Sequence, residues 1–471
     1  MSPPNKLYSS IDPDYVYDDV AGVCRPVEPS DAAAVCYADT PVQSTVAPAD
    51  TFTAGISRSQ LLRDAAFSSP RGNSLFGSPE SYSLLALLPS LQGCSGPPQP
   101  PPAGDPIDSA TPLSAELVMN SAPITGNLDG VELAGNGSQT AVAWSDFDST
   151  TPANTGTFAF LRSGTSGGSQ FTASNDASAR HLTTSATVLE DGSAVAAFTK
   201  ATGDGEPSSI IARRISATGS PVGGDIAILP PQIRDSFPDA RLVSLSNGFV
   251  AVYRDGAGHL TAASFDNNGN STGTLDLGSA PAQRNHYVIN RGEGDTWVLA
   301  ELSGSNQVHV RSFSGLNPGS IDQNISTSGF SSTVNLSVAI NEEGAVMAAW
   351  NSQGGGISGA VVNGPSSGEP FNITSSGLAN TMSLANDHHG NFFFAWEQGG
   401  QVLARVYNGT SAFTTPADFS VIGSGNHNSN VQAYVSDDGT FTITWVRSTT
   451  SGGNTVQDLL RRDYRINYSA H

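Results

Sequence analysis

Residues 190–200 read Glu-Asp-Gly-Ser-Ala-Val-Ala-Ala-Phe-Thr-Lys (EDGSAVAAFTK), a tight turn running into an alternating apolar segment that ends in an aromatic residue. The same grammar returns as GNGSQTAVAWSD (135–146), SNGFVAVYRD (246–255), GEGDTWVLAEL (292–302), EEGAVMAAWNS (342–352), HHGNFFFAWEQ (388–398) and DDGTFTITWVR (437–447). The turn glycines are Gly137, Gly192, Gly248, Gly294, Gly344, Gly390 and Gly439, at spacings of 46 to 56 residues. Asn-Gly or Asp-Gly between two alternating apolar runs signals a hairpin, because a two-residue type I′ turn needs positive φ at both central residues. Asn136-Gly137, Asp191-Gly192, Asn247-Gly248 and Asp438-Gly439 fit it directly. Alternation then sends Val195, Ala197 and their equivalents to one face of a sheet.

Working outward from each hairpin, the second strand closes on Trp144, Phe198, Tyr253, Trp350, Trp396 or Trp445. The fourth unit departs, with Trp297 arriving early and Glu301 near the aromatic slot. Third strands follow, as in SIIARRIS (209–216), QVHVRSF (307–313) and QVLARVY (401–407), and then shorter polar fourth strands suited to an edge that meets water. Four-strand units at a period of about 40 to 50 residues predict a β-propeller. The last unit stops after a third strand, DLLRRDYRIN (458–467), and AELVMNS (115–121) looks like an orphan fourth strand upstream. The expectation is an all-β, seven-bladed propeller of four-stranded antiparallel blades over 113–471. An N-terminal outer strand pairing with the last blade closes the ring and removes two exposed edges.

With Leu189-Glu190-Asp191-Gly192-Ser193-Ala194-Val195, Ile211-Ala212-Arg213-Arg214-Ile215 and Gly219, the chain resembles bacterial exported propeller repeats of the form (A/V)-x-x-x-D-G-x-x-V-x-x-W followed by x-x-R-x-x-x-x-x-G. The resemblance covers about 110–468. It implies the fold and carries no functional residue across.

Residues 1–80 lack sustained apolar periodicity and are rich in Ser, Pro, Ala and Asp, which predicts a leader that is disordered, or mis-assigned ahead of a later translation start. Residues 81–94, ending Leu91-Gln92-Gly93-Cys94, are similar to a bacterial lipoprotein signal peptide: an apolar stretch, then Leu at −3, Gly at −1 and the Cys to be acylated. Residues 95–112, with Pro97–Pro102, read as a Pro-rich tether. Lipid chains on Cys94 imply anchoring of a monomer at the cell envelope, with secretion as the alternative. Cys24, Cys36 and Cys94 all precede the repeats, so the repeats hold no disulfide framework, no Cys-based zinc site and no thiol nucleophile.

Acidic residues number 42 against 21 basic ones, a formal charge of -21, which disfavours a nucleic-acid partner. No apolar run is long enough for a membrane-spanning helix. No phosphate loop, nucleophile elbow or zinc-protease helix occurs, and no metal or cofactor is expected.

Loops leading into each first strand gather on the rim opposite the Gly hairpins, and function concentrates in such loops. They carry the candidate binding residues Asp129, Arg180, His181, Arg234, Asp235, Asp239, Arg241, Arg284, His286, Tyr287, Asn380, His427 and Asn430, with Asn335 beside them. Guanidinium forks at Arg180, Arg234, Arg241 and Arg284 suit a carboxylate or sulfate, hence an acidic glycan, unless Asp235, Asp239 and nearby acids neutralise them. The leading expectation is a non-catalytic binding scaffold for a protein or glycan at the cell surface. The alternative is a lyase or hydrolase acting on an acidic polysaccharide, with His181 or His286 and Tyr287 as base and acid, or with paired carboxylates in the funnel. Glu132 and Glu190 are the obvious first-strand carboxylates, Glu190 on the hairpin rim.

Overall fold

The computed structural model describes residues 7–12, 15–18, 23–26, 36–40, 107–122, 124, 127–137, 139–147, 156–163, 166–174, 180–201, 208–232, 239–255, 257–281, 286–303, 306–330, 335–353, 355–363, 368–374, 377, 379–387, 389–407, 419–422, 427–451 and 454–468. It divides into Met1–Gln99 and Pro100–His471.

The Gly turns are hairpins; the pairs Asn136↔Gln139 and Leu245↔Gly248 leave two-residue loops, whereas at Asp191-Gly192 and Asp438-Gly439 the loop differs from the type I′ expectation. Leu189 N donates to Ser193 O and Gly192 N to Leu189 O, so the loop has three residues. Positive φ falls on the glycine alone, 77° at Gly192 and 75° at Gly439; Asp191 and Asp438 are not in that region. The reason is local: the Asp191 carboxylate accepts from the Ser193 amide and hydroxyl, and Asp438 accepts from the Thr440 amide. An acid that caps the turn makes a type I turn followed by a left-handed Gly the cheaper closure.

Every such hairpin opens a sheet whose neighbours are antiparallel and in chain order. Sheet 1 is Asn127–Asn136, Gln139–Phe147, Gly156–Ser163 and Ser166–Ser174. Sheet 2 begins at Arg180–Val188, sheet 3 at Ala240–Leu245, sheet 4 at Tyr287–Arg291, sheet 5 at Leu336–Ile340 and sheet 6 at Thr381–Asn386, each with four strands. Sheet 7 is His427–Val435, Thr440–Ser451 and Asn454–Tyr468, completed by Ile107–Pro112 from upstream.

Each first strand touches the first strand of the next sheet, and that of sheet 7 touches that of sheet 1. Seven buried apolar clusters follow the same order, each shared by two consecutive sheets, with Val142, Trp144, Val446 and Leu459 joining sheet 7 to sheet 1. The aromatics at the ends of the second strands fill these seams, from Trp396 and Trp445 at 0% exposure to Tyr253 at 7%.

Two polar devices tie the seams. Among first strands, Ser185 Oγ accepts from Leu242 N at 3.0 Å, Ser337 Oγ from Leu384 N at 2.8 Å and Ser383 Oγ from Ala433 N at 3.0 Å. Among third strands, Arg213, Arg311, Arg405 and Arg462 donate to the carbonyls of Ala173, Leu277, Ile373 and Val421 on the outer strand of the preceding sheet. This accounts for the arginine of the repeat motif: a long stem packs while the fork satisfies an edge carbonyl. Ala263 and Ala360 occupy the matching positions of sheets 3 and 5, opposite Ala251 and Ala348.

The upstream strand starts earlier than expected. Ile107–Pro112, read above as tether, pairs with the final strand from Tyr468↔Ile107 to Tyr464↔Pro112. Of the expected segment 115–121, Leu117–Val118 pairs with Arg461 and Leu460, Met119 N donates to Leu459 O and Asn120 Oδ1 accepts from Leu459 N, so it too lies along the final strand. Ile107 and Ala110 pack on the last core cluster, and Asn467 donates to Ser109 and Thr111, contacts the exposed residues 113–116 cannot supply.

Within the stretch read as a leader, Leu7–Asp12 pairs with Cys36–Thr40 and Tyr15–Asp18 with Val23–Pro26. The signal-like segment 81–94, Cys94 and the tether up to residue 106 lie outside the described residues.

Candidate functional site

The first strands of all seven sheets line one cavity of about 500 Å³. It runs from Glu132, Asp239, Arg241 and Asn430 at the lead-in end to Gly137, Glu293, Glu342 and Asp437 at the hairpin end. Small residues such as Ala186, Ser337, Ser383 and Ala433 along the strands keep the bore open.

Charge at the lead-in end is organised around Arg241. Its Nη1 donates to Glu132 Oε2 at 3.1 Å, reaching from sheet 3 to sheet 1, and its Nε lies 4.0 Å from Asp239 Oδ2. Tyr287 donates its hydroxyl to Asp239 Oδ1 at 3.3 Å from behind the wall. Arg241 and Glu132 keep 26% and 23% of their side chains exposed, facing the void, whereas Asp239 keeps 7%. Burial raises the Glu132 carboxyl pKa, with Arg241 pulling it back. For Arg241, burial works against the charge, but Glu132 and then Asp239 outweigh it, and its pKa is raised. Burial, and then the Asp239 charge, push the Tyr287 phenol well above its ordinary value.

Deeper in, Asn290 of sheet 4 donates to the carbonyls of Val338 (2.9 Å) and Leu384 (3.1 Å), on sheets 5 and 6. At the hairpin end Arg291 lies 3.7 Å from Glu190, and Tyr434 donates to the carbonyl of Gly137 at 3.0 Å. Among the described residues the cavity is lined by five carboxylates and two guanidinium groups.

Of the residues expected from sequence, Asp239, Arg241, Asn335 and Asn430 line this cavity together. Among the described residues Asn430 is also the non-glycine one with positive φ, 52°, beside a register shift between Ser429 and Gln432, so its local backbone accounts for an Asn there. Asn380 ties neighbouring elements: its amide donates to Glu397, and its own carbonyl accepts from Asn335 at 2.6 Å. His286 and Tyr287, read as an alternative base and acid pair, are not among the residues that line this cavity. Tyr287 is 2% exposed and committed to Asp239, and burial lowers the His286 pKa. Asp129, Arg180, His181 and His427 are described by backbone only, and Arg234, Asp235 and Arg284 lie outside the described residues. The one expected arginine whose side chain is described, Arg241, is engaged by carboxylates. Sequence reasoning named Glu132 as a carboxylate without its partner and passed over Asn290, Arg291 and Tyr434. Their only signal is a polar or bulky residue on a first strand made mainly of small and β-branched ones.

Among the described residues no group of His, Cys, Asp and Glu could hold a metal ion, and no helix is long and apolar enough to cross a membrane.

No protein-family model matches the chain, and no curated protein does. Solved structures of similar shape include a protein of unknown function from Dyadobacter fermentans DSM 18053, at 11% identity and TM-score 0.44, covering 77% of this chain and 100% of that one. Another is the K499G mutant of NanB sialidase from Streptococcus pneumoniae, at 9% identity and TM-score 0.46, covering 75% and 71%. A third is polysaccharide lyase Uly1, at 8% identity and TM-score 0.44, covering 77% and 99%. At such identities and scores no residue role passes from them to this chain.

Proposed function

We propose that residues 107–468 form a seven-bladed β-propeller that binds a glycan at the lead-in end of its central cavity without catalysis. The observation that carries this reading is the Glu132–Arg241–Asp239 series on the cavity wall, backed by Tyr287. Alternating acceptors and donors of fixed position suit hydroxyl-rich ligands, and a rigid wall lowers the entropy cost of binding. Titrating the full chain with an oligosaccharide panel tests it: Arg241→Ala should weaken binding at least tenfold, and unchanged affinity overturns the reading. Display at the cell envelope through lipid on Cys94 belongs to the same proposal. Mass spectrometry of the membrane fraction should find an acylated peptide beginning at Cys94; an intact residue 1–93 segment ahead of it removes the anchor.

The carbohydrate-active alternative, a lyase or hydrolase, draws on one observation: two carboxyl groups share the wall, and burial favours protonation of Glu132. Hydrolysis of a glycosidic bond needs one carboxyl holding a proton and another charged. New reducing ends from a polysaccharide, lost in Glu132→Gln, would support it.

A further inference from the structure

We propose that the Arg241–Glu132 ion pair is an exchangeable bar across the cavity, and that the ligand carries a carboxylate, as a uronic acid unit does, which takes the place of Glu132 on the Arg241 guanidinium. This rests on the binding reading above and adds the ligand's charge and the proton that accompanies it.

The pair is unlike the structural ion pairs of this protein. Arg162 and Asp463 meet in a seam with 4% and 0% of their side chains exposed, whereas Arg241 and Glu132 face an open void at 26% and 23%. The contact also joins sheets 1 and 3, which are not neighbours in the ring, so no seam depends on it. Only Nη1 of Arg241 donates to Glu132, a one-pronged contact, while Nε is buried 4.0 Å from Asp239 Oδ2. A two-pronged carboxylate is therefore a better match for the fork than Glu132 is. When Glu132 leaves, Arg241 stays placed by Asp239, which Tyr287 holds in turn.

Charge balance decides what travels with the ligand. A bare carboxylate entering a cavity lined by five others would be repelled. If Glu132 takes a proton from water as it releases Arg241, the cavity holds the same net charge before and after. Burial already raises the Glu132 pKa against the pull of Arg241, and removing that cation raises it further. Among the described residues, the titratable groups facing Glu132 are Arg241 and, behind it, Asp239 and Tyr287; Arg291 with Glu190 lies at the other end, as do Glu293, Glu342 and Asp437.

Calorimetric titration of the full chain with D-glucuronate and D-glucose, in buffers of different ionisation enthalpy, tests this on the unmodified protein. Glucuronate should bind with uptake of close to one proton and weaken about tenfold per pH unit above neutrality. Glucose should bind at least tenfold more weakly. In Glu132→Gln, glucuronate should bind more tightly and its affinity should be flat with pH. Glucuronate binding in the unmodified protein without proton uptake, or glucose binding equally well, overturns the exchange. Neutral oligosaccharides whose binding Arg241→Ala abolishes, with no preference for glucuronate, remove this inference and leave the binding reading standing. No binding of any sugar removes both.

Discussion

Replacing Asp463 with Ala takes the carboxylate out of a buried set at the seam between sheets 7 and 1. Arg461 Nε donates to Asp463 Oδ1 at 2.8 Å, Thr442 Oγ1 donates to the same oxygen at 2.9 Å, and Arg162 Nη1 lies 3.1 Å from Oδ2. Arg461 also donates to Thr140 Oγ1 of sheet 1, so the network crosses the seam. Asp463 is 0% exposed, and the two arginine side chains 2% and 4%. Without the carboxylate two guanidinium ions stay buried beside each other, a loss of about 3–5 kcal/mol. That lowers the folded-to-unfolded ratio by about a hundred- to a few thousandfold. Burial already lowers the Arg461 pKa; Asp463 opposes the drop and Arg162 adds to it. Arg162→Met should therefore cost less than Asp463→Ala, because it leaves a neutral pair. The assay is equilibrium urea unfolding followed by tryptophan fluorescence. Asp225→Ala serves as control, since Asp225 is 44% exposed in its pair with Arg213 and such pairs contribute about 0–1 kcal/mol. If Asp463→Ala falls within about 1 kcal/mol of that control, the buried network does not hold the seam.

Other expectations follow from the same packing. Trp144→Ala empties the apolar cluster that joins sheet 1 to sheet 7 and should cost about 3–5 kcal/mol in the same assay; a loss below 1 kcal/mol would remove the Trp from that role. His309 bonds Glu301 at 3.1 Å and Asp322 at 2.6 Å, and Arg311 bonds Glu301 at 2.6 Å, which is how sheet 4 accommodates an acid where other sheets place an aromatic. The bond to Glu301 raises the His309 pKa against burial, with Asp322 adding to the rise. Its stabilisation is therefore complete below the unfolded imidazole value of about 6.5 and is lost as pH rises through the raised folded value. The stability difference between the unmodified protein and His309→Gln should shrink between about pH 6 and pH 8; a constant difference refutes the assignment.

Much of the sheet pattern was legible because it is written locally. Asp191-Gly192 announces a hairpin, although the cap made by Asp191 on Ser193, a contact two residues long, chose the three-residue loop over the expected type I′ turn. The repeat arginines were visible as a motif, but their acceptors lie on the preceding sheet, 34 residues back for Arg311 and 41 for Arg462. Glu301 stood out as a break in the aromatic column, and its explanation needed both flanking strands.

By itself the sequence determined strand alternation, hairpin positions, the spacing of the units and a polar rim with Asp239 and Arg241 two residues apart. These depend on period-two side-chain geometry and on turn chemistry within a few residues. Only the tertiary structure decided that Arg241 meets Glu132 across 109 residues, that Asn290 reaches the carbonyls of two further sheets, and that Ile107–Pro112 completes the last one. Such partners are brought together by burial of the seven seams, and no local pattern encodes which distant residue a side chain will face once that burial has closed the ring.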